Sequence, residues 1–132
     1  MISVSILKRT QSPVSVTSLK SRLAEFLASQ GIQSEAEVSV VIVSRAQMLE
    51  YVKTHLKEKG AEAAAHPVLS FVQSEMEGPF KFPPDNILHL GEIIVSYPHA
   101  VDDAKKKNIT IEDSLYELIE HSALHLLGIH HD

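Results

Sequence analysis

The last twelve residues of the sequence, HSALHLLGIHHD, hold four of its eight histidines. On a helix, residues four apart lie about 40° apart around the axis and one turn along it, so His121 and His125 project side by side. Gly128 can adopt the left-handed conformation that ends a helix and turns the chain back, which would bring His131 to the same point. The spacing therefore predicts a metal site with three nitrogen ligands.

Three histidine ligands leave the fourth position of a tetrahedral ion open. This is the arrangement of catalytic zinc, because the open position admits a water whose pKa the metal lowers to about 7. We therefore expect one Zn²⁺ per chain and metal-assisted hydrolysis. The alternative is that His121 and His125 only pack at a helix end; Gly128 and His131, at their spacing, favour the metal.

The same spacing, H-x-x-x-H-x-x-G-x-x-H, is that of the extended zinc-protease motif. In that motif a glutamate directly after the first histidine activates the water. Ser122 stands at this position. Because serine is a poor base at neutral pH, the ligands are present while the proton acceptor of a protease is missing. A metallopeptidase therefore stays an alternative to the leading hypothesis.

Composition restricts the class of protein further. With 132 residues, 44% of them hydrophobic, the chain can bury one core, so we expect a single domain over residues 1–132. It has no cysteine, which excludes disulfides and thiolate metal sites. The net charge of −5 argues against nucleic-acid binding through bulk positive charge, although a local basic patch or a bound cation can attract phosphate. The sequence shows neither a secretory signal nor a membrane span, so we expect a soluble, cytoplasmic protein.

Hydrophobic patterns predict the strands that position these residues. Strands are predicted over residues 2–7, 38–43, 68–72 and 88–96. The second is nearly continuously apolar and is expected to be central in the sheet. A helical crossover from 38–43 to 68–72 would make these two strands parallel. Residues 73–86 hold three of the six prolines and predict a surface loop.

Four helices connect or follow these strands. The first is predicted to end at Gly31 and the second to begin after Ser44. A short third helix begins near Pro98. Thr110 with Asp113 has the spacing of a capping box and opens the helix that carries the histidine pair. The predicted metal ligands thus lie at the end of a helix and just beyond it.

The C-terminal stretch resembles the signature of the YbeY family of bacterial rRNA-maturation endoribonucleases, H-G-x-L-H-L-x-G-Y-D-H. The residues that match it in register are His121, Leu124, His125, Leu126, Gly128 and His131. Two further blocks, HPVLSF (66–71) and LGEIIVS (90–96), are similar to the family's T-D-V-L-S-F and L-G-D-I-x-x-S segments and occur in the same order. Ser122 stands where the family has glycine.

The resemblance implies an α+β fold, with a small mixed sheet of about four strands flanked by helices and the metal-binding helix at the C-terminal end. It implies that His121, His125 and His131 hold zinc. It also implies cleavage of single-stranded RNA, in rRNA 3′-end maturation and ribosome quality control, with rRNA or ribosomal particles as partners and no membrane. A non-catalytic, metal-stabilised module that binds ribosomal partners is a further alternative.

Four residues outside the signature receive roles from their place in or near these blocks. Ser70 is expected to hydrogen-bond phosphate, and Glu92 to orient a ligating histidine; polar residues of a strand that only face solvent are the alternative. The family has an arginine upstream of the second block that is thought to face RNA. Here that segment offers only Lys57 and Lys59, which keep the charge but lose the bidentate contact with phosphate.

Overall fold

The computed structural model describes residues 2–32, 35–55, 67–72 and 87–127, which form an α+β fold. In chain order the elements are β1 (Ile2–Lys8), α1 (Val16–Ser29), β2 (Ala36–Val43), α2 (Arg45–His55), β3 (Val68–Val72), β4 (Leu88–Ser96), α3 (Tyr97–Lys107) and α4 (Ile111–Leu126). The predicted fold class and element order are confirmed. In the part of the chain that is described, no helix has the length and apolar character of a membrane span.

The sheet has the strand order β1-β2-β4-β3. Strand β2 pairs in parallel with both β1 and β4, so its predicted central place is confirmed. The expected parallel crossover from β2 to β3 is wrong, because β3 does not pair with β2 and runs antiparallel to β4. The nine-residue β4 is the longer strand, and its last four residues are fully buried. It therefore takes the inner position and leaves the five-residue β3 at the edge.

Two hydrophobic clusters cover opposite faces of the sheet, because alternate residues of each strand point to opposite sides. On the first face α1 and α4 pack against β2 and β4; this core includes Leu23, Ile42, Ile93, Leu115 and Ile119. On the second face α2 packs against β2, β3 and β4, with Met48, Val52, Leu69 and Ile94 among the buried residues. The helix that carries the histidine pair belongs to the first face.

Hydrogen bonds at the start of α4 fix this helix to α1. The Thr110 side chain accepts from the Asp113 backbone amide at 3.1 Å, which confirms the predicted N-cap. The Glu112 carboxylate accepts from the Ser15 backbone amide at 3.0 Å and from the Ser18 hydroxyl at 3.1 Å. Because this carboxylate lies in the first turn of α4 and accepts from two donors at the start of α1, that turn is held independently of any ligand at the other end of α4.

Candidate metal centre

The predicted histidine pair lies on the last two turns of α4. The Nε2 atoms of His121 and His125 are 3.2 Å apart, and the two ring centroids are 4.7 Å apart with the rings tilted by 57°. His121 is exposed and His125 is half-buried. The expectation that both side chains project side by side from one helix face is confirmed.

The separation of the two Nε2 atoms fits two ligands of one zinc ion. Zn–N bonds of about 2.0–2.1 Å at a tetrahedral angle separate two ligand nitrogens by roughly 3.3 Å, and the observed distance is 3.2 Å. Among the described residues, no group of three or more histidine, cysteine or carboxylate side chains converges on one point. His131 and Gly128, which were predicted to complete the site, lie outside the described residues.

Packing of α4 fixes the direction in which the two imidazoles project. Leu115, Ile119, Ala123 and Leu126 form its buried face, and all four belong to the core that covers the first sheet face. They recur at intervals of three and four residues, as the apolar stripe of an amphipathic helix does. With this stripe facing the sheet, His121 is exposed and His125 is half-buried, so the histidine pair remains accessible.

Ser122, which stands at the position of the glutamate in the zinc-protease motif, points into the protein. Its side chain is 1% exposed. The Ser122 hydroxyl contacts the hydroxyl of Ser70 on β3, and the Ser122 hydroxyl also lies 3.5 Å from the Leu69 carbonyl oxygen. The Ser70 hydroxyl lies 3.3 Å from the Ser122 carbonyl oxygen. The position after the first histidine therefore joins α4 to the sheet instead of facing the open side of the histidine pair.

The structure brings Ser70, but not Glu92, to the same sheet face as the histidine pair. Ser70 reaches α4 through Ser122; whether it also contacts phosphate stays a prediction. Glu92 is paired in register with Phe71, which packs in the cluster beneath α2. Since directly opposed residues of two strands share a face, Glu92 lies on the side of the sheet opposite α4. Lys57 and Lys59 lie outside the described residues.

Gly91 is a further residue on which the position of α4 depends. Its φ of +137° is one that residues with side chains rarely adopt, and a Cβ built on it would lie 2.1 Å from the Phe71 carbonyl oxygen and 3.1 Å from Leu126 Cδ2. Only glycine therefore permits β3 and the end of α4 to approach β4 this closely. An isolated glycine inside an apolar strand was the available sequence signal, since it marks a bulge or a close backbone contact.

Two histidines that the spacing leaves unassigned have structural partners. The His89 ring contacts the Glu37 carboxylate across β4 and β2. His99 Nδ1 lies 2.7 Å from the hydroxyl of Ser96, the fully buried residue before α3. Neither histidine lies on α4, so the described histidines with the geometry of a shared ligand pair are His121 and His125.

The fold and the histidine pair define a class: an α+β protein with paired histidines of metal-ligand geometry on a helix packed against a mixed sheet. The chain matches the family described as Endoribonuclease YbeY over residues 6–132. A protein of that name from Dehalococcoides mccartyi is 32% identical over 126 residues, which cover 89% of this chain and 70% of the relative. A namesake from Moorella thermoacetica is 36% identical over 107 residues, which cover 80% of this chain and 66% of the relative. The chain belongs to the endoribonuclease YbeY family.

A solved structure supports the same fold. The solution structure of a Thermotoga maritima protein matches all of this chain (100%) and 75% of its own, with a TM-score of 0.58 and 24% sequence identity. At this level of identity the match concerns the backbone arrangement alone. It agrees with the α+β fold and the mixed sheet described above.

Proposed function

We propose that the protein is a zinc-dependent endoribonuclease that cleaves single-stranded RNA in rRNA 3′-end maturation and ribosome quality control. Membership of the endoribonuclease YbeY family supports hydrolysis of RNA as the reaction. The observation that carries the metal part of the proposal is the 3.2 Å separation of the His121 and His125 Nε2 atoms, which fits two ligands of one ion.

In this proposal His121, His125 and His131 hold one zinc ion per chain through neutral imidazole nitrogens. The ion supplies a Lewis acid for the phosphodiester and for the attacking water. The chain contributes a ligand pair that is placed before the metal binds, because the α4 backbone is hydrogen-bonded and its apolar face is buried. Lys57 and Lys59 supply positive charge for the RNA backbone, and zinc adds its own charge in a chain whose net charge is −5.

The buried position of Ser122 favours this function over the metallopeptidase. In the protease motif the residue after the first histidine accepts a proton from the attacking water. Here the side chain at this position is 1% exposed and is directed at β3. Position 122 therefore does not supply the proton acceptor for peptide hydrolysis, because serine is a poor base and because its side chain is directed at β3.

Zinc content and RNA cleavage are the measurements that test the proposal. The purified protein is expected to carry close to one zinc per chain and to cleave labelled single-stranded RNA, and a chelator should abolish the cleavage. His121→Ala should lose both zinc and cleavage. His89→Gln is the matched control, because it also removes a histidine, but one that pairs with Glu37 outside the candidate site. It should retain both properties.

Two results would contradict the proposal. If the zinc-loaded protein left RNA intact and degraded unfolded protein, the metallopeptidase would replace the endoribonuclease. If neither substrate were cut while His121→Ala still abolished zinc binding, the chain would be a metal-stabilised binding module. Equal zinc binding in His121→Ala and the parent would exclude the metal site itself.

A further inference from the structure

A buried serine pair joins the metal-binding end of α4 to β3. Ser122 follows His121 directly in the chain, is 1% exposed, and contacts Ser70 through the two hydroxyls. We propose that this serine pair is a positioning device that fixes the distance of the histidine pair from the sheet and its rotation about the helix axis; this inference rests on the proposed metal site.

Two arrangements of donors and acceptors are possible at the serine pair, and one of them has the shorter donor–acceptor distance to a carbonyl oxygen. Two hydroxyl protons are available, and the acceptors are the opposite hydroxyl, the Ser122 carbonyl oxygen and the Leu69 carbonyl oxygen. If Ser122 donates to the Ser70 hydroxyl, Ser70 is free to donate to the Ser122 carbonyl at 3.3 Å. In the opposite order Ser122 must donate to the Leu69 carbonyl at 3.5 Å, the limit of a hydrogen bond. The first arrangement is therefore favoured.

The serine pair adds directional hydrogen bonds to the apolar packing of this turn. The other buried residues near it, Ala123 and Leu126, make apolar contacts. Apolar contacts are non-directional, so a helix can slide or rotate on them by small amounts, whereas a hydrogen bond fixes both distance and angle. The spacing between His121 and His125 is set within the helix, but their position relative to a third ligand elsewhere in the chain depends on how the helix is fixed. The serine pair acts at the turn where the two ligands lie.

The favoured arrangement also predicts unequal effects of removing each hydroxyl. In Ser122→Ala, the Ser70 hydroxyl can still donate to the carbonyl of residue 122, which belongs to the backbone. In Ser70→Ala, the acceptor left among the described residues for the buried Ser122 hydroxyl is the Leu69 carbonyl oxygen at 3.5 Å. Helix α4 must then shift or leave this group poorly paired. Ser70→Ala should therefore disturb the ligand pair more than Ser122→Ala.

Metal affinity and the visible spectrum of bound cobalt test the inference in the full chain. Ser70→Ala is expected to weaken zinc binding about tenfold, as loss of a group that orients ligands typically does, and to change the Co²⁺ absorption bands that report ligand geometry. Ser122→Ala should have a smaller effect in the same direction. Ser70→Thr retains a hydroxyl at the half-buried position and should restore both affinity and spectrum.

Ser114→Ala is the matched control for a loss that is merely structural. Ser114 lies on the same helix, is 0% exposed, and donates to the Ala100 carbonyl at 2.8 Å, two turns before the histidine pair. Its replacement should lower the free energy of unfolding and leave zinc affinity and the cobalt spectrum unchanged.

The outcomes separate this inference from the proposed function. Zinc affinity and a cobalt spectrum in Ser70→Ala equal to those of the parent would overturn the positioning role, provided that His121→Ala abolishes binding. An equal weakening by Ser114→Ala would also overturn it, because the effect would then be global. If His121→Ala bound zinc like the parent, the metal site would fall, and the positioning role with it.

Discussion

The replacement Gly91→Ala tests how closely α4 and β3 must approach β4. Gly91 has a φ of +137°, and its new Cβ would lie 2.1 Å from the Phe71 carbonyl oxygen. Gly31→Ala is a matched control, because Gly31 has a φ of +87° and a Cβ there meets nothing within 4 Å. Both replacements impose a strained backbone, but only the first also forces β3 away from its partner.

The difference between the two variants follows from these contacts. Positive φ costs a residue with a side chain about 1–2 kcal/mol, which is the whole effect expected for Gly31→Ala. Gly91→Ala adds displacement of the Phe71 carbonyl, with the loss of about one backbone hydrogen bond, and repacking of Leu126 at 3.1 Å. The sum is about 3 kcal/mol or more. For a domain of this size that lowers Tm by about 11 °C, against about 4–7 °C for the control.

Urea unfolding followed by circular dichroism measures both free energies directly. A zinc titration of the folded variants adds a second readout, since displacement of β3 and Leu126 should also weaken metal binding in Gly91→Ala but not in Gly31→Ala. If the two variants lost equal stability, the close approach of β3 and α4 to Gly91 would be refuted, and only the backbone angle would matter.

Three further perturbations probe groups elsewhere on α4 and beyond it. Burial, with a smaller contribution from Glu120, raises the pKa of Tyr116 from 10.0 to about 12. Because the folded state keeps a proton that the unfolded chain releases, the free energy of unfolding should be unchanged below pH 10 and should fall as the pH rises towards 12. Tyr116→Phe should remove this pH dependence, which urea unfolding at alkaline pH measures. Asn108 ends α3 with a φ of +56°; Asn108→Ala should lower the unfolding free energy by about 1 kcal/mol, and Asn108→Gly should not. His131→Ala should weaken zinc binding less than His125→Ala, because His125 is placed by a formed helix, and equal losses in a competition assay would contradict this order.

Local patterns predict the elements well because they depend on residues close in the chain. The spacing of Leu19, Leu23 and Leu27 predicts α1, and all three are buried in it. Local sequence patterns do not predict which strand pairs with β3. Residues 68–72 are extended as predicted, but the direction in which a strand pairs depends on which neighbour offers the larger buried surface, and β4 lies later in the chain.

In the candidate site, too, relations within one helix could be predicted from the sequence, whereas relations that depend on strand pairing could not. Helix geometry alone predicts that His121 and His125 project side by side from one face, and the structure confirms this. Counting alternate residues along LGEIIVS does not predict the sheet face on which Glu92 lies, for two reasons. The segment is apolar on both faces, and the pairing of β4 with β2 shifts by one residue, since His89 pairs with Glu37 and Gly91 with Val38. A shift of this kind reverses which residues share a face.

The role of position 122 follows from the length of its side chain as well as from its direction. On a helix, adjacent residues point about 100° apart, so the residue after His121 projects away from the ligand face. A glutamate has the length to reach back from that direction towards a bound water, whereas a serine reaches only the nearest backbone or side chain. In this chain the nearest groups belong to β3, at Ser70 and Leu69. Ser122 therefore lacks the proton acceptor of the protease motif and instead makes the contact between the ligand-bearing turn and β3. A glutamate at this position would bring a charge against the buried Leu69 carbonyl without a cation among the described contacts to balance it.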